Sequence, residues 1–130
     1  MNAYSPNEEP PFISVVLPTL NEAAYIEGCL RTLLDDPYPR DRLEVFVVDG
    51  GSTDGTREIV ARLAGEFPFL RLLDNPKRLQ GPAFKLAYHA ADKRSSWIVR
   101  CDAHARYPAG FLTRCMAACT SPIVASSMTN

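Results

Sequence analysis

Apolar positions along the chain follow two different periods. Phe12 to Leu17 (FISVVL), Leu43 to Val48 (LEVFVV), Phe69 to Leu73 and Trp97 to Val99 are short apolar runs, bounded by Pro, Gly, Asp or Ser, and they predict buried strands. Pro18 is expected to close the first. Between them the apolar residues return at helical spacing: Ile26, Leu30, Leu33 and Leu34, then Ile59, Val60, Leu63, Ala64 and Phe67, then Phe84, Ala87, Tyr88 and Ala91. A fourth stripe, Phe111, Leu112, Cys115, Met116 and Cys119, follows Pro108, and Pro122 to Ser127 predicts a fifth strand. Thr19 or Asn21 is expected to cap the first helix and Ser52, Thr53 or Asp54 the second, with Pro82 in the first turn of the third.

Strands alternating with amphipathic helices predict an α/β fold of three layers, with right-handed crossovers and a mostly parallel sheet covered on both faces. In such a sheet the loops that follow the strands share one edge, where ligands bind. The loops holding Thr19 to Glu22, Asp49 to Asp54 and Asp102 to His104 are therefore expected to meet in space although they are far apart in sequence.

Composition narrows the class. A chain of 130 residues, 46% hydrophobic and 22% charged, holds one soluble globular domain. A net charge of −1 gives no overall attraction to nucleic acid or to an anionic membrane, so any phosphate binding must come from local groups. The four cysteines lack C-x-x-C spacing and read as reduced core residues in a cytoplasmic setting. Residues 1–11 are polar and proline-rich and read as a flexible lead without a secretory pattern. No apolar run reaches membrane-spanning length.

Each polar loop admits two readings. Asp102 and His104, just past a strand, suit a carboxylate oxygen and an imidazole nitrogen on one divalent cation, or a turn in which Asp102 caps the backbone and His104 is solvated. Asp49 beside Gly50 and Gly51 suits a base N–H or a ribose hydroxyl, or a β-to-α turn that needs those residue types. Glu22 suits a ribose hydroxyl or the first turn of a helix. Lys77 and Arg78 suit phosphate, helped by the following helix N-terminus, or solvent, and solvent is the preferred reading for Lys77. The dinucleotide fingerprint, the P-loop and the G-x-S-x-G elbow are all missing, and PTLNE lacks the acidic pair of a phospho-receiver domain.

Together VVLPTLNEAAYIEGCL, VVDGGSTDGT and VRCDAHARYP, in that order, resemble the inverting family 2 glycosyltransferases of GT-A fold, and the D-A-H-A-R-Y-P run resembles the bacterial succinoglycan-type exopolysaccharide subgroup. The resemblance covers residues 12–130 and implies the nucleotide-sugar-binding part of a GT-A domain, incomplete at its C-terminus. It implies that Pro18, Thr19 and Glu22 border the nucleoside pocket, that Asp49 contacts the base and Arg78 the diphosphate. Asp102 and His104 take the D-x-D positions that hold Mn²⁺ or Mg²⁺. Gly50 stands where many relatives have a second acid, and His104 replaces the second Asp of D-x-D. The implied reaction is a single in-line displacement from a nucleotide-diphosphate sugar, most simply a UDP-sugar, onto a hydroxyl of a saccharide or lipid-linked saccharide. Its general base is expected beyond Asn130. The resemblance further implies work at the inner face of the cell membrane, reached through other sequence; a homo-oligomer that covers the last apolar segment is a separate expectation. Two other readings stand beside it: a non-catalytic nucleotide-sugar-binding module, and, against the sequence TLNEAAY after the first strand, a sugar nucleotidyltransferase.

Overall fold

A computed structural model describes residues 9–77, 80–118 and 125–126. The strands are β1 (Phe12–Thr19), β2 (Leu43–Asp49), β3 (Leu70–Asp74), β4 (Ser95–Arg100) and β5 (Ala125–Ser126), and the helices α1 (Ile26–Leu34), α2 (Thr56–Glu66), α3 (Gln80–Ala90) and α4 (Phe111–Ala118). They alternate as the two periods require. The strands form one sheet in the order β3-β2-β1-β4-β5, with every pair parallel.

Alternate residues of the central strand serve opposite faces, as a period of two demands. Ile13, Val15 and Leu17 join Ile26, Leu30, Leu33, Val60, Leu63, Leu112 and Met116 in a core beneath α1, α2 and α4. Val16 turns the other way to meet Phe46, Val48, Ala83 and Ala87 under α3. These residues are all buried, which accounts for the absence of polar alternation in β1 and β2. Tyr88, expected inward, is 62% exposed; the face α3 buries is carried by its alanines, Ala83 and Ala87. On α4, Cys115 is half-buried, while Cys119 and most of the expected fifth strand lie outside the described residues.

Pro18 does not end β1. The Val16 carbonyl faces β4 and accepts from the Cys101 N–H at 3.0 Å, and that ladder stops at the pair Val16–Arg100. Pro18, two residues on, faces the same side, where no strand remains to want its missing N–H. Pairing with β2 meanwhile continues to Thr19–Asp49. The proline thus sits where β1 and β4 part. The chain also reverses its direction of winding between these two strands, which makes this the switch point at which an open parallel sheet has its crevice.

At the opposite end, residues 9–11, assigned by sequence to the flexible lead, are tied down. Tyr38 Oη donates to the Pro11 carbonyl and Arg42 donates to the Pro10 carbonyl and pairs with Glu9. Residues 1–8 lie outside the described residues. No helix among the described residues is long and apolar enough to cross a membrane.

Candidate functional site

Three polar loops meet at the carboxyl edge of the sheet. The best-buried group there is Asp49, 1% exposed at the end of β2. Its Oδ1 accepts from Thr19 Oγ1 at 2.7 Å and Ser52 Oγ at 2.5 Å; its Oδ2 accepts from the N–H groups of Gly51 (3.0 Å) and Ser52 (2.7 Å) and from Arg57 (3.2 Å). Burial opposes its charge, but the donors on Ser52, Thr19 and Gly51 outweigh burial and hold its pKa below the usual aspartate value. Gly51 adopts φ +99°, a left-handed conformation that favours glycine, and this lets two successive N–H groups turn toward one carboxylate. Both oxygens of Asp49 are thus engaged by the protein itself, so a base would reach it only by displacing one of these donors.

The loop after β1 is stitched to the loop after β2. Ser52 Oγ accepts from the Asn21 N–H (2.7 Å), Asn21 Oδ1 from Thr53 N–H (2.9 Å), Asp54 Oδ2 from Ala23 N–H (3.1 Å) and Thr56 Oγ1 from Glu22 N–H (2.9 Å). These bonds replace the local caps that the sequence suggested for α1. Its N-cap is Tyr25, with no side-chain cap, because Thr19 is spent on Asp49 and Asn21, at φ +54°, reaches across to Thr53. For α2 the expected side-chain cap is also displaced: its N-cap is Gly55, in a left-handed conformation and without a side-chain cap, while Asp54, one residue earlier, accepts from the N–H of Thr56 at 3.1 Å.

Across the crevice, the loop after β4 is anchored from below. Tyr107, 3% exposed, accepts the Asp102 N–H on its hydroxyl at 2.8 Å, and Cys29 Sγ donates to the Asp102 carbonyl at 3.3 Å. Asp102 Oδ1 accepts from the His104 N–H at 2.8 Å, so the capping turn expected of a D-x-H sequence is present. His104 is nonetheless more than solvated. Its Nε2 lies 3.0 Å from Glu22 Oε1 and its Nδ1 3.4 Å from Asp102 Oδ1. The Tyr25 ring rests against the imidazole with centroids 4.5 Å apart. Burial, partly offset by His104, raises the pKa of Glu22.

The structure therefore brings Thr19, Glu22, Asp49, Asp102 and His104 to one edge, with Pro18 at the point where the crevice opens. Glu22 faces His104. Arg78 lies outside the described residues. Sequence reasoning passed over Arg57, which links Asp49 to Asp74 (2.6 Å), although a cation in the first turn of a helix opposes the macrodipole and so signals a specific partner. It also passed over Tyr25 and Tyr107, whose roles depend on contacts that local patterns do not encode.

A parallel α/β sheet with polar loops at its switch point defines the class of open α/β domains that bind ligands at the carboxyl edge of the sheet. Residues 14–125 match the model of glycosyl transferase family 2, and the chain belongs to that family. Among its relatives, the succinoglycan biosynthesis protein ExoA of Rhizobium meliloti is 44% identical over 100 residues, which are 77% of this chain and 30% of that protein. The mannosyltransferase PcManGT from Pyrobaculum calidifontis, solved in complex with GDP-Man and Mn²⁺, superposes with a TM-score of 0.70 at 40% identity, over 76% of this chain and 29% of its own. TarS of S. aureus in complex with UDP-GlcNAc gives 0.69 at 26% identity, over 78% and 29%. These neighbours have the GT-A fold. The chain thus spans less than a third of the length of the relatives it matches.

Proposed function

We propose that this chain forms the donor-binding part of a metal-dependent inverting glycosyltransferase that moves a sugar from a nucleoside diphosphate to an acceptor hydroxyl in polysaccharide synthesis. The observation that carries the reading is the meeting of Glu22, Asp102 and His104 across the switch-point crevice, next to the loop ordered by Asp49. A UDP-sugar remains the simplest donor, with a GDP-sugar the rival that PcManGT suggests. Pro18, Thr19 and the Asp49 loop border the nucleoside, and Arg78 meets the diphosphate. The succinoglycan biosynthesis relative supports a saccharide acceptor; a lipid-linked form of it and work at the inner membrane face are part of the same proposal.

The residues present fit a divalent cation. Asp102 and His104 are 62% and 54% exposed at the side chain and offer one oxygen and one nitrogen, a pair that suits Mn²⁺ better than Mg²⁺. Among the described residues no group of three or more His, Cys, Asp or Glu side chains forms a complete site. Such a pair matches a cation whose remaining ligands are phosphate oxygens and water. When bound, the cation would neutralise charge gathering on the departing nucleoside diphosphate. Asp102 and His104 would hold it; the Asp49 loop would present its backbone to the nucleoside; Tyr107 and Cys29 would keep the Asp102 backbone fixed while this happens.

Calorimetric titration with UDP and with GDP, each with and without Mn²⁺, tests the proposal on the wild type and on Asp102→Ala. Binding that Mn²⁺ strengthens at least tenfold, and that the substitution removes, is expected for one of the two nucleotides. Equal binding by both proteins would take the cation away from Asp102.

A further inference from the structure

A histidine in the D-A-H run has a requirement that the aspartate of D-x-D lacks. A carboxylate presents an oxygen in either orientation, whereas an imidazole offers a lone pair at one nitrogen only when the other carries the proton. Histidine ligands accordingly depend on a partner that fixes tautomer and ring orientation, commonly a carboxylate. His104 has such a partner in Glu22, whose Oε1 is 3.0 Å from Nε2, the distance at which an imidazole N–H donates to a carboxylate.

We propose that Glu22 is a positioning residue for the cation site: it holds the Nε2–H of His104 and leaves Nδ1, beside Asp102 Oδ1, as a paired nitrogen and oxygen for the divalent cation. This rests on the cation-dependent reading above and gives Glu22 a role different from the nucleoside contact that the family resemblance implies.

Three observations support it. Depth is the first: the Glu22 side chain is 17% exposed, against 54% for His104 and 62% for Asp102, so the glutamate lies behind the imidazole and the other two face solvent. Spacing is the second. Neighbouring ligands on a six-coordinate cation with bonds of about 2.1 Å lie about 3 Å apart, and Nδ1 and Oδ1 are separated by 3.4 Å. The third is rigidity. The Glu22 N–H donates to Thr56 Oγ1 at 2.9 Å, and its carbonyl accepts from the N–H groups of Tyr25 (2.9 Å) and Ile26 (2.8 Å). The Tyr25 ring then closes against the imidazole. The ring is held by parts of the loop after β1, and the cation side is left open.

The test compares wild type, Glu22→Gln, Glu22→Ala and Asp102→Ala by two readouts, after thermal melts confirm that each is folded. Nitrogen-15 NMR of the imidazoles, with His89 as internal reference, reports the His104 tautomer without any metal. Electron paramagnetic resonance then measures Mn²⁺ affinity at saturating UDP or GDP. Wild type and Glu22→Gln, which keeps an acceptor oxygen, are expected to show the Nε2–H tautomer and Mn²⁺ affinities within about threefold of each other. Glu22→Ala is expected to populate both tautomers and to bind Mn²⁺ about 10–100-fold more weakly. A Glu22→Gln variant as weak as Glu22→Ala would make Glu22 a direct ligand and overturn the proposal. Wild-type behaviour of Glu22→Ala in both readouts would remove Glu22 from the site. Mn²⁺ binding untouched by Asp102→Ala, or absent in all four proteins, would instead overturn the donor-site reading itself, and the cation role of Glu22 with it.

Discussion

A carboxylate has about four lone-pair sites, and that of Asp49 receives five donors from Thr19, Gly51, Ser52 and Arg57. Its removal strands several of these in a buried place. Asp49→Ala is expected to destabilise the chain by about 3 kcal/mol, read by urea unfolding; a change below about 1 kcal/mol would mean that the loop reorganises freely. The pH dependence has a definite sign. Because the folded-state pKa of Asp49 is lowered, its contribution is fully present above the unfolded aspartate value of about 3.9 and is lost as pH falls through the lower folded value. Between pH 5 and pH 2.5, Asp49→Asn should therefore lose less stability than wild type. An equal loss in both would contradict that assignment. At this scale the sequence exposed which polar residues gather at the carboxyl edge but not their partners. D-G-G-S-T-D is recognisable as a turn, whereas nothing local says that Asp49 takes its bonds from Thr19 and Arg57, or that Glu22 faces His104.

The elements themselves were legible, since burial on both faces of β1 and β2 and one-sided burial of the helices leave clear periods. Two misreadings share a physical cause. Pro18 was expected to end β1, and Thr19 or Asn21 to cap α1, because local rules assume local partners; here the absence of β4 beside Pro18 and the proximity of the β2 loop decide instead. Within α1, Gly28 lies under the exposed Arg106 guanidinium, where an added Cβ would come within 2.5 Å of its terminal nitrogen. That end of Arg106 can swing away. Gly28→Ala is therefore expected to raise stability by up to about 1 kcal/mol through helix propensity, and a loss of stability would show that Arg106 is fixed. Tyr107→Phe removes the acceptor of the Asp102 N–H and is expected to cost about 1–2 kcal/mol and to weaken Mn²⁺ binding together with the fold. Unchanged melting would contradict the anchoring role. Cys29 in α1 is buried, and its thiol is pushed up to about 12. It should resist alkylation at pH 8 until the chain unfolds and react more slowly than half-buried Cys115; rapid labelling of Cys29 in the folded chain would contradict that burial.

At the level of the whole molecule, the order β3-β2-β1-β4-β5 does what no single element does. It places loops some 80 residues apart in sequence on either side of one crevice, so that Glu22 and His104 touch. The alternation of strands and helices was enough to anticipate that convergence, but not which side chains would meet within it. The amino edge, by contrast, closes on structural bonds, with buried Glu44 accepting from Ser14 Oγ (2.6 Å) and the Asp92 N–H (2.7 Å). In the proposed function the donor's diphosphate and its cation lie at the carboxyl edge, between the loops after β1 and β4. Paramagnetic broadening of amide NMR signals by Mn²⁺ in the presence of the bound nucleotide tests it most directly. Glu22, Asp102 and His104 are expected to broaden first, Gly51 and Ser52 next, and Glu44, Asp92 and Ser95 last. Broadening that begins at the amino edge, or that spreads evenly over the chain, would contradict it.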